Sequence, residues 1–205
     1  MITGLVLAGG QARRLQVAGQ PPIDKGLLTW RGVPLIALAQ QYLAPHVGRI
    51  CISANQNLDF YNQYGDVIPD DPGLGINAGP LAGVASVLAQ TSTPWLAVIP
   101  VDAPNLPADL VARLLDAAQV NQSQIAYART EVRAHPLCML VHRDLLGSLR
   151  DFLLAGDRKV QRWQQANGAC EVVFDKAEER FLNINRPEDY LAAGLDLPGS
   201  KAFTD

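Results

Sequence analysis

The run over residues 2–7, reading ITGLVL, stops abruptly at Ala8-Gly9-Gly10 and is followed by Arg13, Arg14 and, further on, Lys25. A short, almost wholly apolar run bounded by glycine reads as a strand buried on both faces. The glycines let the backbone approach a ligand closely and aim several N–H groups at it. With fixed cations on the same segment, residues 2–25 read as a pocket for a polyphosphate. Neither familiar glycine motif is present. GxGxxG lacks its third glycine, and Lys25 is neither preceded by glycine nor followed by Ser or Thr, as a Walker A lysine is.

A strand buried on both faces needs a layer on each side, and the rest of the chain supplies them. Further strands are expected over 27–30, 49–53, 67–68, 95–101, 124–129, 137–141 and 170–174. Helices are expected over 34–43, 58–64, 80–88, 107–118, 144–155, 160–167 and 187–195. The helix after Gly79 shows Leu81, Val84, Ala85 and Leu88 at the spacing of one helical face. Residues 69–78, rich in Asp, Gly and Pro, read as a loop. This alternation predicts an α/β fold with a mostly parallel sheet, where ligands sit beyond the carboxyl ends of the strands. With 205 residues and no break in composition, one domain over 1–197 is expected, with 198–205 a frayed tail.

The formal net charge of −3 gives no support for non-specific binding to nucleic acid or to an anionic membrane. Residues 2–10 are too short for a signal-peptide core, and no run approaches the ~20 apolar residues of a membrane span. Cys51, Cys138 and Cys170 form no CxxC and read as reduced thiols of a cytoplasmic protein.

The candidate functional residues fall at expected strand ends. Asp102, in IPVDAPNLP, closes the most apolar run, where a carboxylate suits Mg2+, a hard cation that bridges to substrate phosphates. A helix cap or turn is the alternative. Asp70 and Asp71 follow the strand over 67–68 as a second ligand, a base contact or simple turn residues. Asn55 follows the strand over 49–53. Gly79 begins a helix whose N-terminus favours anions, and Gly83 inside that helix calls for close packing or a ligand. His135, in Ala134-His135-Pro136, lies between two expected strands. Asn183 and Asn185 alternate and share one face if that stretch is extended. His46 and His142 have no partners at metal spacing and read as structural.

Taken in order, LAGG at 7–10, Arg14, Asp24-Lys25, GPLAG at 79–83, PVDAP at 100–104, HP at 135–136 and NINRPED at 183–189 resemble the molybdenum cofactor guanylyltransferase family. LAGG through Lys25 alone indicates only the broader nucleotidyltransferase superfamily; GPLAG and the final motif narrow it. The resemblance implies a three-layer α/β/α, Rossmann-like nucleotidyltransferase fold. Its N-terminal half would bind nucleotide and its C-terminal half the acceptor. The implied reaction is transfer of GMP from GTP, with Mg2+, to the terminal phosphate of molybdopterin, releasing pyrophosphate. By matching position, Leu7, Ala8 and Gly9 would contact the nucleotide, as would Asp70; the glycine turn and the helix N-terminus add Gly10 and Gly79. By the same match Lys25 would reach the phosphates and Asp102 would hold Mg2+; the mechanism expected from this adds Arg14 on the phosphates and His135, Asn183 and Asn185 on the pterin. Transient contact with proteins that make or receive the cofactor is also implied.

Two departures stand out. The position that carries a nucleotide-contacting asparagine in the family aligns with Ser53, with Asn55 two residues on. The segment from Arg14 to Asp24 is longer than the usual pattern, and Pro21-Pro22 predicts a stiff, projecting turn that leaves both ends in register. Rival readings are a cytidylyl or sugar-phosphate nucleotidyltransferase and a non-catalytic nucleotide carrier. Cytidylyl relatives typically read LAAG where this chain has LAGG, and a carrier would lack a cation or the carboxylate.

Overall fold

The computed structural model describes residues 1–9, 24–30, 32–75, 78–183 and 195–196. β1 (Ile2–Leu7) lies between β4 (Arg49–Ser53) and β6 (Trp95–Pro100) and runs parallel to both. β5 (Asp66–Ile68) extends the sheet beyond β4, again in parallel. Beyond β6 come β8 (Ala134–His142), β7 (Ile125–Arg129) and β9 (Cys170–Val173), giving the order β5-β4-β1-β6-β8-β7-β9. β8 is antiparallel to β6 and to β7, whereas β9 is parallel to β7. The reversal follows from a tight turn, in which Thr130 N donates to Arg133 O at 2.9 Å. A connection that short can join only antiparallel strands.

Alternate residues of each strand enter different cores, which is how one sheet comes to hold two helical layers. Val6, Ile52, Ala97, Ile99 and Leu140 pack with α1 (Leu35–Leu43), Tyr61 of α2 (Leu58–Tyr61), and α4 (Leu110–Val120). Leu5, Cys51, Leu96, Val98 and Met139 pack with α3 (Pro80–Leu88), α5 (Leu146–Leu154) and Trp163 of α6 (Val160–Ala166). The result is the expected three-layer α/β/α arrangement with a mostly parallel sheet. A small second sheet pairs β2 (Thr29–Trp30) with β3 (Val33–Pro34) and with β10 (Leu195–Asp196).

The sequence expectations differ from the structure at several places. β8 begins at Ala134, so His135 lies in a strand and not between two strands. Residues 136–138 are accommodated by a register shift opposite Tyr127 and Ala128, because Pro136 has no N–H to give the ladder. Leu195 belongs to β10 and not to a helix, since its backbone pairs with Trp30. The rest of the helix expected over 187–195 lies outside the described residues, as do the projecting turn before Asp24 and the tail. α2 ends at Tyr61, and α4 begins at Leu110 after a turn in which Leu110 N bonds Pro107 O. Cys51, Cys138 and Cys170 are all free thiols.

Gly83 owes its identity to packing. A Cβ there would lie 2.2 Å from Ser53 Oγ and 2.8 Å from Ser53 Cβ, so α3 rests directly on β4. Ser53 is itself buried in the sheet, and its Cβ cannot rotate away. Gly83→Ala is therefore expected to lower stability by about 1–3 kcal/mol despite alanine's better helix propensity, measured by denaturant unfolding. An unchanged or raised midpoint would show that the contact yields easily.

Candidate active site

The register brings four strand ends side by side. Leu7 lies opposite both Ser53 and Pro100, and Ser53 lies opposite Ile68. Ala8 N then bonds Ser53 O at 3.0 Å, and Val101 N bonds Leu7 O at 3.1 Å. The chain passes from β5 on one side of β1 to β6 on the other, so the ligand crevice of such a sheet falls at the β1 and β6 ends. Asp102 sits there and is buried.

Lys25 comes to the same point. Its ammonium donates to Asp102 Oδ2 at 2.6 Å, with side-chain exposures of only 13% and 12%. At such burial, desolvation offsets most of the attraction, so the pair is a poor investment in stability alone. The turn that carries Lys25 is held by Asp24. Its Oδ1 accepts from Gly26 N at 3.1 Å and from the Tyr61 hydroxyl at 2.5 Å, and its Oδ2 accepts from Asn57 Nδ2 at 2.8 Å. Sequence reading named Asp24 only as part of the Asp-Lys pair and missed Asn57 and Tyr61 altogether. No local pattern links them to residue 24.

Gly9 is exposed, and its backbone is not in the left-handed region. A Cβ there would meet nothing closer than 3.8 Å. Neither strain nor the described neighbours demand glycine at this position, which leaves clearance for a ligand as a reason. Gly79 differs: φ 78° and ψ −173° put it in a region that only glycine occupies readily. It turns the chain into α3, where Pro80 takes the first helical position. Gly10 and Arg14 lie outside the described residues.

On the β4 and β5 side, Asn55 and Asp70 hold each other. Asn55 Nδ2 donates to Asp70 Oδ2 at 3.0 Å, and Asp70 N donates to Asn55 Oδ1 at 2.9 Å. The Ser53 hydroxyl donates to Asp70 Oδ1 at 3.3 Å from its buried position under Gly83. Asn55 is exposed and Ser53 is buried. Asp71 is a turn residue: its carboxylate accepts from Gly73 N at 2.9 Å and faces Arg150 at 3.4 Å.

His135 stands on β8, buried, with its ring stacked on Phe181 at 4.5 Å between centroids and Nε2 3.4 Å from Thr130 Oγ1. Burial, reinforced by the Arg133 charge, pushes its pKa below the ordinary 6.5. Asn183 is half-buried just after Phe181 and lies in no strand, while Asn185 lies outside the described residues. His142 and His46 are in ring contact with Trp95 and Tyr42 respectively.

Asp102 is the residue suited to a metal. Its hard carboxylate oxygens match Mg2+. Among the described residues no group of three or more His, Cys, Asp or Glu is arranged to hold a metal ion. An ion on Asp102 would therefore fill its shell with water and substrate oxygens, the usual habit of Mg2+ in phosphoryl-transfer sites.

The depressed His135 pKa sets a pH dependence. The unfolded chain binds the proton more readily, so the neutral ring's contribution to stability is complete above pH 6.5 and declines as pH falls below it. Unfolding midpoints at pH 5.0 and 7.5 should differ less for His135→Gln than for the parent chain. An equal difference would remove His135 from the acid response.

The comparisons with known proteins agree with one another. The model of the MobA-like NTP transferase domain matches residues 4–171. The molybdenum cofactor guanylyltransferase of Bordetella pertussis is 41% identical over 86% of this chain and 89% of its own. Two solved structures share the fold. One is the molybdopterin-guanine dinucleotide biosynthesis protein A of Archaeoglobus fulgidus, with a TM-score of 0.77 at 21% identity, covering 94% of this chain and 96% of that one. The other is Mycobacterium tuberculosis Rv0371c in complex with manganese, with a TM-score of 0.69 at 18% identity, covering 94% and 97%. With the family model spanning most of its length and a relative this similar, the chain belongs to the molybdenum cofactor guanylyltransferases, nucleotidyltransferases of the MobA-like family.

Proposed function

We propose that this chain transfers GMP from GTP to the terminal phosphate of molybdopterin, forming the guanine dinucleotide cofactor and releasing pyrophosphate. The observation that carries the reading is the meeting of the Lys25 ammonium and the Asp102 carboxylate at 2.6 Å, at the ends of β1 and β6. A cation and an anion held at one point suit a metal-bound triphosphate, which presents an anion to the lysine and a cation to the aspartate.

In this reading an oxygen of the acceptor phosphate attacks the α-phosphorus of GTP in line. A new P–O–P bond forms and the bond to pyrophosphate breaks. Leu7, Ala8, Gly9 and Gly10 are assigned to the nucleotide, and Lys25 and Arg14 to the phosphates as charge shifts toward pyrophosphate. Mg2+ bound at Asp102 would neutralise charge on the phosphate oxygens. Asn55, Asp70 and Gly79 border the base, with Ser53 bracing Asp70 from beneath. His135, Asn183 and Asn185 are assigned to the pterin. A neutral, buried His135 fits a hydrogen-bonding role and not that of a fixed cation. The chemistry needs no protein nucleophile, only positioning and charge.

The N-terminal half is then the nucleotide side and the C-terminal half the acceptor side of one domain. The reading places the protein in the cytoplasm, with transient contacts to proteins that supply or receive the cofactor. No helix among the described residues is long and apolar enough to cross a membrane.

Asp102→Asn keeps an oxygen for Lys25 and removes the charge. Incubated with molybdopterin, Mg2+ and each nucleoside triphosphate in turn, the parent chain should yield the guanine adduct alone. Asp102→Asn should lower its rate by roughly a hundred- to a thousandfold with an unchanged circular dichroism spectrum. Undiminished turnover would refute the metal assignment, and a cytidine adduct would refute the choice of nucleotide.

A further inference from the structure

We infer that Tyr61 and Asn57 are positioning residues for the phosphate-binding lysine: by gripping Asp24 they fix the turn from which Lys25 reaches the triphosphate. The inference rests on the reading of Lys25 given above and adds the part of the fold that aims it.

Lys25 sits between two residues that both touch the Tyr61 phenol. Asp24 accepts the hydroxyl's hydrogen, and Gly26 packs so closely that a Cβ there would lie 2.3 Å from the phenolic oxygen. Tyr61 itself is fully buried in the core on the α1 side of the sheet, edge-on to Phe60 at 5.8 Å. A rigid ring is thus in contact with both flanks of the lysine backbone. Burial and the neighbouring carboxylate push the Tyr61 pKa far above the ordinary tyrosine range, so the hydroxyl remains a donor at any working pH.

Asn57 has an unusual use. It occupies the N-cap of α2, where an asparagine side chain ordinarily bonds the first helical amides. Here it makes no capping bond and its amide donates to Asp24 Oδ2. Its backbone is left-handed, at φ 52°, a conformation asparagine tolerates better than most residues. Both oxygens of Asp24 are therefore held, one by the core ring and the turn's own amide, the other from the start of α2. A lysine side chain has four rotatable bonds, so a fixed backbone origin is what limits its sweep to the point where it meets Asp102.

The test is equilibrium binding of inorganic pyrophosphate and, separately, of guanosine, by titration calorimetry. Five proteins are compared: the parent, Tyr61→Phe, Asn57→Gly, Lys25→Met, and the Lys25→Met/Tyr61→Phe double variant. Tyr61→Phe should weaken pyrophosphate about five- to tenfold and Asn57→Gly about two- to fourfold, with guanosine affinity unchanged in both. Against Lys25→Met, adding Tyr61→Phe should cost nothing further, because the lysine being aimed is gone. Asn57→Gly keeps the left-handed backbone at an exposed position, so it tests the grip without disturbing the core. The inference is overturned if Tyr61→Phe and Asn57→Gly leave pyrophosphate binding intact while Lys25→Met weakens it. It is also overturned if the Tyr61→Phe loss persists undiminished in the double variant, or if guanosine binding falls in parallel. Should Lys25→Met itself leave pyrophosphate binding unchanged, the phosphate role of Lys25 fails, and the inference with it.

Discussion

The ion pair between Lys25 and Asp102 joins two distant parts of the chain, and the proposed phosphate chemistry depends on it. One partner comes from the turn before β2 and the other from the end of β6, and they meet at 2.6 Å with little solvent around them. Two opposite charges brought out of water gain little net stability from each other, since desolvation cancels most of the attraction. What the pair does accomplish is geometric. It puts a fixed cation and a hard oxygen donor within the span of one phosphate group, beside the end of β1.

The fold is arranged around that meeting. β1 lies between β4 and β6, and its register fixes the height at which Ala8, Ala54 and Val101 leave the sheet. Packing on both faces then sets the rim. Gly83 lets α3 press onto Ser53, which supports Asp70, which in turn holds Asn55. On the opposite face, Tyr61 of the other core anchors Asp24. Each half of the rim thus draws its rigidity from a different helical layer. In the proposed reaction, the described polar groups that are already paired to one another would need less reorganisation as charge develops.

Much of this was readable from the residues. β4 over Arg49–Ser53 and α3 over Pro80–Leu88 follow from an apolar run and a helical stripe, both local signals. Asp102 was legible as a carboxylate at the end of an apolar strand, where a helix cap or a turn explains an aspartate as readily as a metal does, and the matching motif around it weighed toward the metal. The failures have a common cause in pairing across distance. Pro136 reads as the edge of a strand, yet a register shift opposite β7 lets β8 continue through it to His135. Leu195 looks like the end of a helix until Trp30 pairs with it. Tyr61 reads as one more apolar position on a short helix. Its role emerges only when the turn holding Asp24 folds over it. The difference in burial between Ser53 and Asn55 was likewise not legible, since two polar residues two positions apart do not announce it.

One measurement addresses the central claim directly: a crystal structure of the chain with Mg2+ and a GTP analogue that resists cleavage between its α- and β-phosphates. The account predicts the Lys25 ammonium on the phosphate oxygens and the Asp102 carboxylate on the ion bound to those same phosphates, with the nucleotide lying against Leu7, Ala8 and Gly9. A nucleotide seated elsewhere, with Lys25 still paired to Asp102 and neither touching the phosphates or their ion, would contradict it.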